Sequence, residues 1–136
     1  MTTKQTNTLA WVAQIALAVV FTLAGGFKAF MPPGTLLAKA PDLAGLPLPL
    51  VRFIGIAELA AAIGFILPSL TRIAPRLTPI AALCVLPILA GAFVVDYTSR
   101  HFGSLFLVVV SGALAAFVVW ARSTRVRIEI SSSAAA

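Results

Sequence analysis

Charge is scarce in this chain of 136 residues, because charged residues make up only 10% of it and only four of them are acidic. A typical soluble domain has about 25% charged residues. The composition therefore argues against a soluble globular protein. The chain is also 60% apolar, and a chain that apolar does not stay solvated when unfolded, which excludes a disordered protein. An integral membrane protein, with the lipid bilayer as its first partner, is the class that remains.

Side chains with specialised chemistry are equally few. The single cysteine, Cys84, lies inside an apolar run, so we interpret it as a small core residue and expect no intramolecular disulfide and no CxxC motif. The single histidine, His101, cannot by itself form a two-histidine haem site. Phosphate-binding loops, nucleophile–base pairs and metal-ligand spacings are also missing. The sequence argues against a self-sufficient enzyme and predicts no metal site and no intrinsic cofactor.

Long apolar runs are what the sequence does contain. A membrane-spanning helix needs about 20 apolar residues, and the runs that meet this length predict spans at about residues 9–31, 50–67, 77–95 and 104–121. We expect an all-α bundle of four transmembrane helices that forms a single domain over residues 1–136, with a polar tail at 122–136. Pro79 and Pro87 predict a kink in the third helix rather than a break.

Prolines are concentrated between the first two spans. Residues 32–49 contain five of the nine prolines, so a regular helix is not expected there. The leucines of this segment leave two interpretations open. The segment either lies on or dips into the membrane surface, or it is a plain covered loop.

Basic residues predict the orientation of the bundle. Four spans bring both termini to one side, and that side has six basic residues: Lys4, Arg72, Arg76, Arg122, Arg125 and Arg127. The positive-inside rule then makes both termini cytoplasmic and places Trp11 and Trp120 at the inner interface. Because the basic residues follow this topology and do not form one face, we do not expect nucleic-acid binding despite the net charge of +6.

Two oppositely charged residues lie inside the predicted spans, where an ionisable side chain costs roughly 2.5–3.5 kcal/mol at the bilayer centre. Glu58 lies ~12 Å below the outer end of the second helix, and Lys28 lies ~4–5 Å below that of the first, at the α-helical rise. Side chains tilt toward the N-terminus of their own helix. In two antiparallel helices Lys28 therefore leans toward Glu58, and an ion pair is expected. Whether the pair is structural or forms a ligand or proton site stays open.

Other polar residues are predicted in the same outer half of the bundle. Arg52 is expected to snorkel to the outer interface, and Asp96 ends the third helix. Arg100 and His101 follow in the outer loop as secondary outer-face residues, and we interpret His101 as an exposed interfacial histidine. The inner half shows no comparable cluster. Small residues are dense on the helices, around Gly25, Gly55, Gly64, Gly91 and Gly112, and predict close helix packing.

Three motifs carry a resemblance to a known family. They are AGGFKAF around Lys28, GLPLPLVRFIGIAELAAAIGFILP around Glu58, and AGAFVVD at the end of the third helix. Across roughly residues 15–100 the chain resembles the DoxX and DoxX-like family of small four-helix membrane proteins. The resemblance implies a small subunit of the bacterial cytoplasmic (inner) membrane, linked to quinol oxidase or thiosulfate:quinone oxidoreductase activity. Lys28 and Glu58 would then line a pocket near the outer leaflet for a quinone headgroup or another small lipid-soluble molecule.

Three functions remain in competition on the sequence alone. The first is a quinone-binding subunit with a soluble or membrane oxidoreductase partner. The second is a small proton-coupled transporter that uses Glu58, a hypothesis weakened by the strong inner excess of positive charge. The third is a scaffold or assembly factor, alone or as a homo-oligomer, in which the Lys28–Glu58 pair only fixes helix packing.

Overall fold

The computed structural model describes residues 2–74 and 76–134, and this part of the chain contains helices and no strand. The elements are α1 Thr3–Phe30, α2 Pro33–Lys39, a 3₁₀ turn Pro41–Gly45, α3 Leu48–Thr71, α4 Leu77–Thr98 and α5 Phe102–Ala134. Four segments are long and apolar enough to cross a membrane: α1, α3, α4, and the part of α5 from Phe102 to Thr124. The predicted all-α, four-span architecture is confirmed.

The helices extend beyond several predicted boundaries. α1 begins at Thr3 because Thr2 and Gln5 form a reciprocal capping box that satisfies backbone N–H groups in the first turn. α3 extends beyond the second predicted span, about residues 50–67, since it contains Pro68 and continues to Thr71. A proline removes only one backbone donor, and membrane helices tolerate that loss where neighbouring helices surround the freed carbonyl. Pro68 is indeed buried.

The predicted polar tail continues α5. The helix runs through residue 122 to Ala134 without an intervening loop. The side chains of the tail residues Arg125, Arg127 and Glu129, and all of residues 135–136, lie outside the described residues.

The proline-rich segment is also more regular than predicted, because it contains the helix α2. Pro33 occupies the first helical turn, where its missing N–H would have no helical partner in any case and its fixed φ favours the helix. The side chain of Leu36 is 1% exposed, so the apolar side of this short helix is buried. The 3₁₀ turn then leads into α3.

The long helices form a ring of two pairs. α1 packs most extensively on α3, and α4 packs most extensively on α5; contacts of α3 with α4 and of α1 with α5 join the two pairs. Their shared core is apolar and includes Leu17, Phe21, Phe65, Val85 and Val118. We call the end of the bundle with α2 the loop end, and the end where α1 begins the terminal end.

Close packing of α1 on α3 depends on two glycines. A Cβ atom on Gly55 would lie 2.7 Å from the backbone nitrogen of Ala29, and one on Gly25 would lie 2.7 Å from the carbonyl oxygen of Gly55. The two backbones are therefore in contact. Gly64 similarly faces Ala81 of α4. Other small residues do not play the predicted part, because a Cβ atom would have nothing within 4 Å at Gly26, Gly91 or Gly112.

Cys84 is exposed on α4, so its interpretation as a core residue is wrong. The buried positions of α4 follow a helical stripe through Thr78, Ala82, Val85 and Leu89. Cys84 lies off that stripe. In a bilayer this surface of the helix contacts lipid.

Candidate functional site

A cavity of about 760 Å³ occupies the loop end between the two helix pairs. This volume lies within the range of about 300–1,000 Å³ typical of small-molecule pockets. Its walls are mostly apolar side chains from all four long helices. The polar exceptions are Lys28, Lys39, Asp42, Glu58, Asp96, His101, Ser104 and Ser111.

The Lys28–Glu58 ion pair forms part of the cavity wall. Nζ of Lys28 lies 2.6 Å from Oε1 of Glu58, and the two side chains are 20% and 5% exposed. A Cβ atom on Gly25 would lie 3.0 Å from Cβ of Glu58, so the pair sits beside the point where the α1 and α3 backbones touch. The other carboxylate oxygen, Oε2, is buried and has no hydrogen-bond partner among the described residues.

Arg52 does not snorkel as predicted. Its Nη1 donates to the carbonyl oxygen of Lys28 at 2.7 Å, and its Nη2 donates to that of Met31 at 2.6 Å. The last carbonyls of a helix lack helical partners and carry partial negative charge. A guanidinium bound there is therefore stabilised both by hydrogen bonds and by a favourable charge interaction. Arg52 does not line the cavity. It holds the backbone of Lys28 against α3.

The opposite wall has a second polar group near the mouth of the cavity. Asp96 is 6% exposed, and its carboxylate lies near the Ser104 hydroxyl and interacts electrostatically with His101, Asp42 and Lys28. His101 is exposed and also lines the mouth. Arg100 is not among the lining residues, so the structure brings four of the six predicted site residues to the cavity: Lys28, Glu58, Asp96 and His101.

The proline-rich segment covers the mouth. Lys39 at the end of α2, together with Asp42 and Leu43 of the 3₁₀ turn, belongs to the cavity lining. The segment therefore covers the cavity, and its position on the membrane surface stays a prediction. The presence of Lys39 and Asp42 in the lining was not predictable from sequence, because their position depends on how the segment folds back over the bundle.

Two serines of the lining were also missed. Ser104 and Ser111 are seven residues apart on α5 and therefore lie on the same face of that helix. Their seven-residue spacing in an otherwise apolar span was the feature of the sequence that could have indicated a shared polar face.

The terminal end has its own polar cluster, contrary to the expectation that the inner half has none. Gln14 is fully buried; its Nε2 donates to the carbonyl oxygen of Phe65 and to Oγ of Ser69, the latter at 2.9 Å. Ser69 in turn lies 3.0 Å from the hydroxyl of Thr78. Nε of Arg122 donates to Oε1 of Gln14 at 2.9 Å. This cluster, the Gln14 network, connects all four long helices.

Arg122 makes further contacts at this end. Its Nη1 donates to Oδ1 of Asn7 at 3.1 Å, and its guanidinium lies 5.5 Å from the centre of the Trp11 ring, within cation–π range. A lone glutamine in the first apolar run was a signal in the sequence. Its partner Arg122 lies 108 residues away, so only the fold reveals the contact.

Comparison with known protein families identifies a relationship for most of the chain. A protein-family model described as the DoxX-like family matches residues 12–118, a range that contains Lys28, Glu58, Asp96 and Ser111. No curated protein and no solved structure matches the chain.

Proposed function

We propose that this chain, which belongs to the DoxX-like family, is a small membrane subunit of a quinone-linked redox system and binds a quinone or quinol in the loop-end cavity. The proposal depends on one observation. An apolar cavity of about 760 Å³ includes in its wall a buried Lys–Glu pair in which one carboxylate oxygen lacks a donor. Intramembrane ionisable residues generally mark functional sites.

The chemistry of the wall fits such a ligand. An ammonium group has three donors, and Lys28 uses one of them on Glu58, so it can also donate to a ring carbonyl. Oε2 of Glu58 can accept from a ring hydroxyl. The apolar side chains of the cavity suit the ring and its substituents.

The bound ring would supply redox chemistry, in which electrons and protons are exchanged together. Oxidation of the quinol form releases two protons and two electrons. In our proposal Oε2 of Glu58 takes one proton, Lys28 stabilises the carboxylate once that proton has left, and the second proton passes to water at the mouth of the cavity. An oxidoreductase partner, soluble or membrane-bound, exchanges the electrons with the ring.

The proposed location is the bacterial cytoplasmic membrane, with both termini in the cytoplasm. The excess of basic residues near the terminal end supports this orientation. The cavity would then open toward the outer leaflet.

The transporter hypothesis has no comparable support. A transporter must open its binding site to both sides of the membrane, and here the Gln14 network ties the four helices together at the terminal end. Opening that end would break several hydrogen bonds at once.

The test is ligand binding to the intact protein in lipid nanodiscs. We expect a short-chain benzoquinone or its quinol to raise the thermal unfolding midpoint, because a ligand that binds only the folded state stabilises it. The double variant Lys28→Met/Glu58→Gln should lose most of that shift. Lys4→Met removes a lysine from the exposed start of the same helix and should keep it.

Two results would contradict the proposal. One is the lack of any shift in the unmodified protein with either redox form of the ring. The other is an equal shift in the unmodified protein and in the Lys28→Met/Glu58→Gln variant.

A further inference from the structure

The cavity wall contains a second polar side chain that has no hydrogen-bond partner among the described residues. Ser111 is 3% exposed and lines the cavity, and its hydroxyl makes no hydrogen bond within the described residues. Helical serines often donate to a carbonyl one turn earlier, as Ser104 does to His101 at 3.1 Å. Ser111 therefore presents a hydroxyl that a ligand can use.

Ser111 and Glu58 lie at matching depths. Glu58 comes ten residues after the start of α3 and Ser111 comes nine residues after the start of α5. At 1.5 Å per residue both lie about 13–15 Å from the loop-end termini of their helices. α3 and α5 each pack mainly on α1 and α4, so the two residues reach the cavity from opposite walls. We call this level, defined by Glu58 and Ser111, the cavity floor.

The hydrogen-bonding groups of the cavity floor favour a ligand that brings a hydrogen-bond donor. A carboxylate oxygen only accepts, so a ligand must bring a donor to satisfy Oε2 of Glu58. A quinone ring has only accepting carbonyl oxygens at its opposite edges. A quinol ring has a hydroxyl at each of those edges, and a serine hydroxyl can either donate to it or accept from it.

We propose that the cavity floor is specific for an aromatic diol, the reduced quinol form of the ring, which donates one hydroxyl to Oε2 of Glu58 and places the opposite hydroxyl on Oγ of Ser111. This inference rests on the proposed function and adds the preferred redox form and a second recognition residue. Apolar side chains of the lining at this depth, including Phe21 and Leu89, contact the ring faces.

The experiment compares four forms of one short-chain ring by calorimetry in nanodiscs under anaerobic conditions: the quinol, its monomethyl ether, its dimethyl ether and the quinone. We expect the quinol to bind at least about tenfold more tightly than the quinone or the dimethyl ether, since hydrogen bonds to a charged group are among the stronger ones. The monomethyl ether should bind with intermediate affinity.

Ser111→Ala tests the second contact. It should weaken quinol binding by about fivefold, the effect of one lost neutral hydrogen bond, and should remove most of the difference between the quinol and its monomethyl ether. Ser123→Ala is the matched control, because it removes an exposed hydroxyl from the same helix at the terminal end, away from the cavity. It should retain the quinol preference.

The outcomes separate this inference from the proposed function. If the quinone binds as tightly as the quinol and still depends on Lys28 and Glu58, the diol inference is overturned and the proposed function stands. If Ser111→Ala leaves the affinities of all four forms unchanged, Ser111 has no part in recognition and the inference is again overturned. If neither redox form binds the unmodified protein, the proposed function itself fails.

Discussion

The two ends of the bundle differ in how fully their buried polar side chains are hydrogen-bonded. At the terminal end, the side chain of Gln14 is buried and its amide is hydrogen-bonded to groups on α3 and α5. At the loop end, Glu58 is paired on one oxygen only, and Oε2 is the one fully buried side-chain nitrogen or oxygen atom without a hydrogen-bond partner among the described residues. Because buried polar groups are normally satisfied, the first cluster is expected to act in stability and the second in binding.

The largest effect should come from breaking the loop-end pair on one side. Lys28→Met leaves the Glu58 carboxylate buried without its cation and should lower the free energy of unfolding by about 3–5 kcal/mol. Denaturant unfolding in detergent micelles measures the change.

Removing both charges is the control for that variant. Lys28→Met/Glu58→Leu leaves no unpaired charge, so it should regain most of the lost stability while ligand binding stays absent. A double variant that still binds quinol like the unmodified protein would assign the pair to packing alone, as the scaffold hypothesis requires.

A substitution at the crossing of α1 on α3 should have the next largest effect on stability. Gly55→Ala forces a Cβ atom to within 2.7 Å of the Ala29 backbone, and such overpacking should cost about 2–3 kcal/mol. It should also weaken ligand binding, since the Lys28–Glu58 pair lies beside this crossing. Gly91→Ala is the control, because a Cβ atom there has nothing within 4 Å. Equal stability of the two variants would contradict the role of the glycine contact.

A substitution at the terminal end should lower the stability of the protein without changing its affinity for the ligand. Gln14→Leu removes the acceptor of Arg122 and the donor to Ser69, which should lower the free energy of unfolding by about 1–2 kcal/mol. The quinol dissociation constant should not change when measured well below the unfolding temperature. A large loss of affinity in this variant would show that the two ends are coupled and would break the division between them.

The smallest effect is expected at Cys84, which is exposed on α4. Cys84→Ala should change the free energy of unfolding by less than about 0.5 kcal/mol, as surface substitutions usually do. The native thiol should react with a lipid-soluble maleimide in folded protein. Protection of this thiol would indicate that another chain covers the surface.

The cysteine-free variant also tests the orientation of the two ends. In that background, Thr35→Cys places a thiol on α2 and Ser123→Cys places one at the terminal end, both at exposed positions. Whole cells treated with a membrane-impermeant maleimide should label the first thiol and not the second. The reverse pattern would contradict the predicted cytoplasmic termini.

Part of the site follows from sequence and part does not. The Lys28–Glu58 pair is predictable because both residues sit at computable depths in neighbouring antiparallel helices. The contacts of Arg52 are not predictable from sequence, because its long side chain can reach either the membrane interface or the carbonyls of a nearby helix end. Gln14 and Arg122 are too far apart in the chain for local pattern to pair them. The spacing of Ser104 and Ser111 indicates one shared helix face, but only the rotation of α5 about its axis turns that face toward the cavity.

Composition and periodicity by themselves determined the membrane class, the four spans and the presence of energetically costly charges in the loop-end half of the bundle. Apolar length and the cost of a buried charge are properties of a single segment. Tertiary structure decided which of those charges meet, which small residues bring helices together, and where a cavity remains. These depend on the rotation of each helix about its axis and on which helices become neighbours. It is that arrangement which satisfies Gln14 completely and leaves one oxygen of Glu58 free beside a cavity.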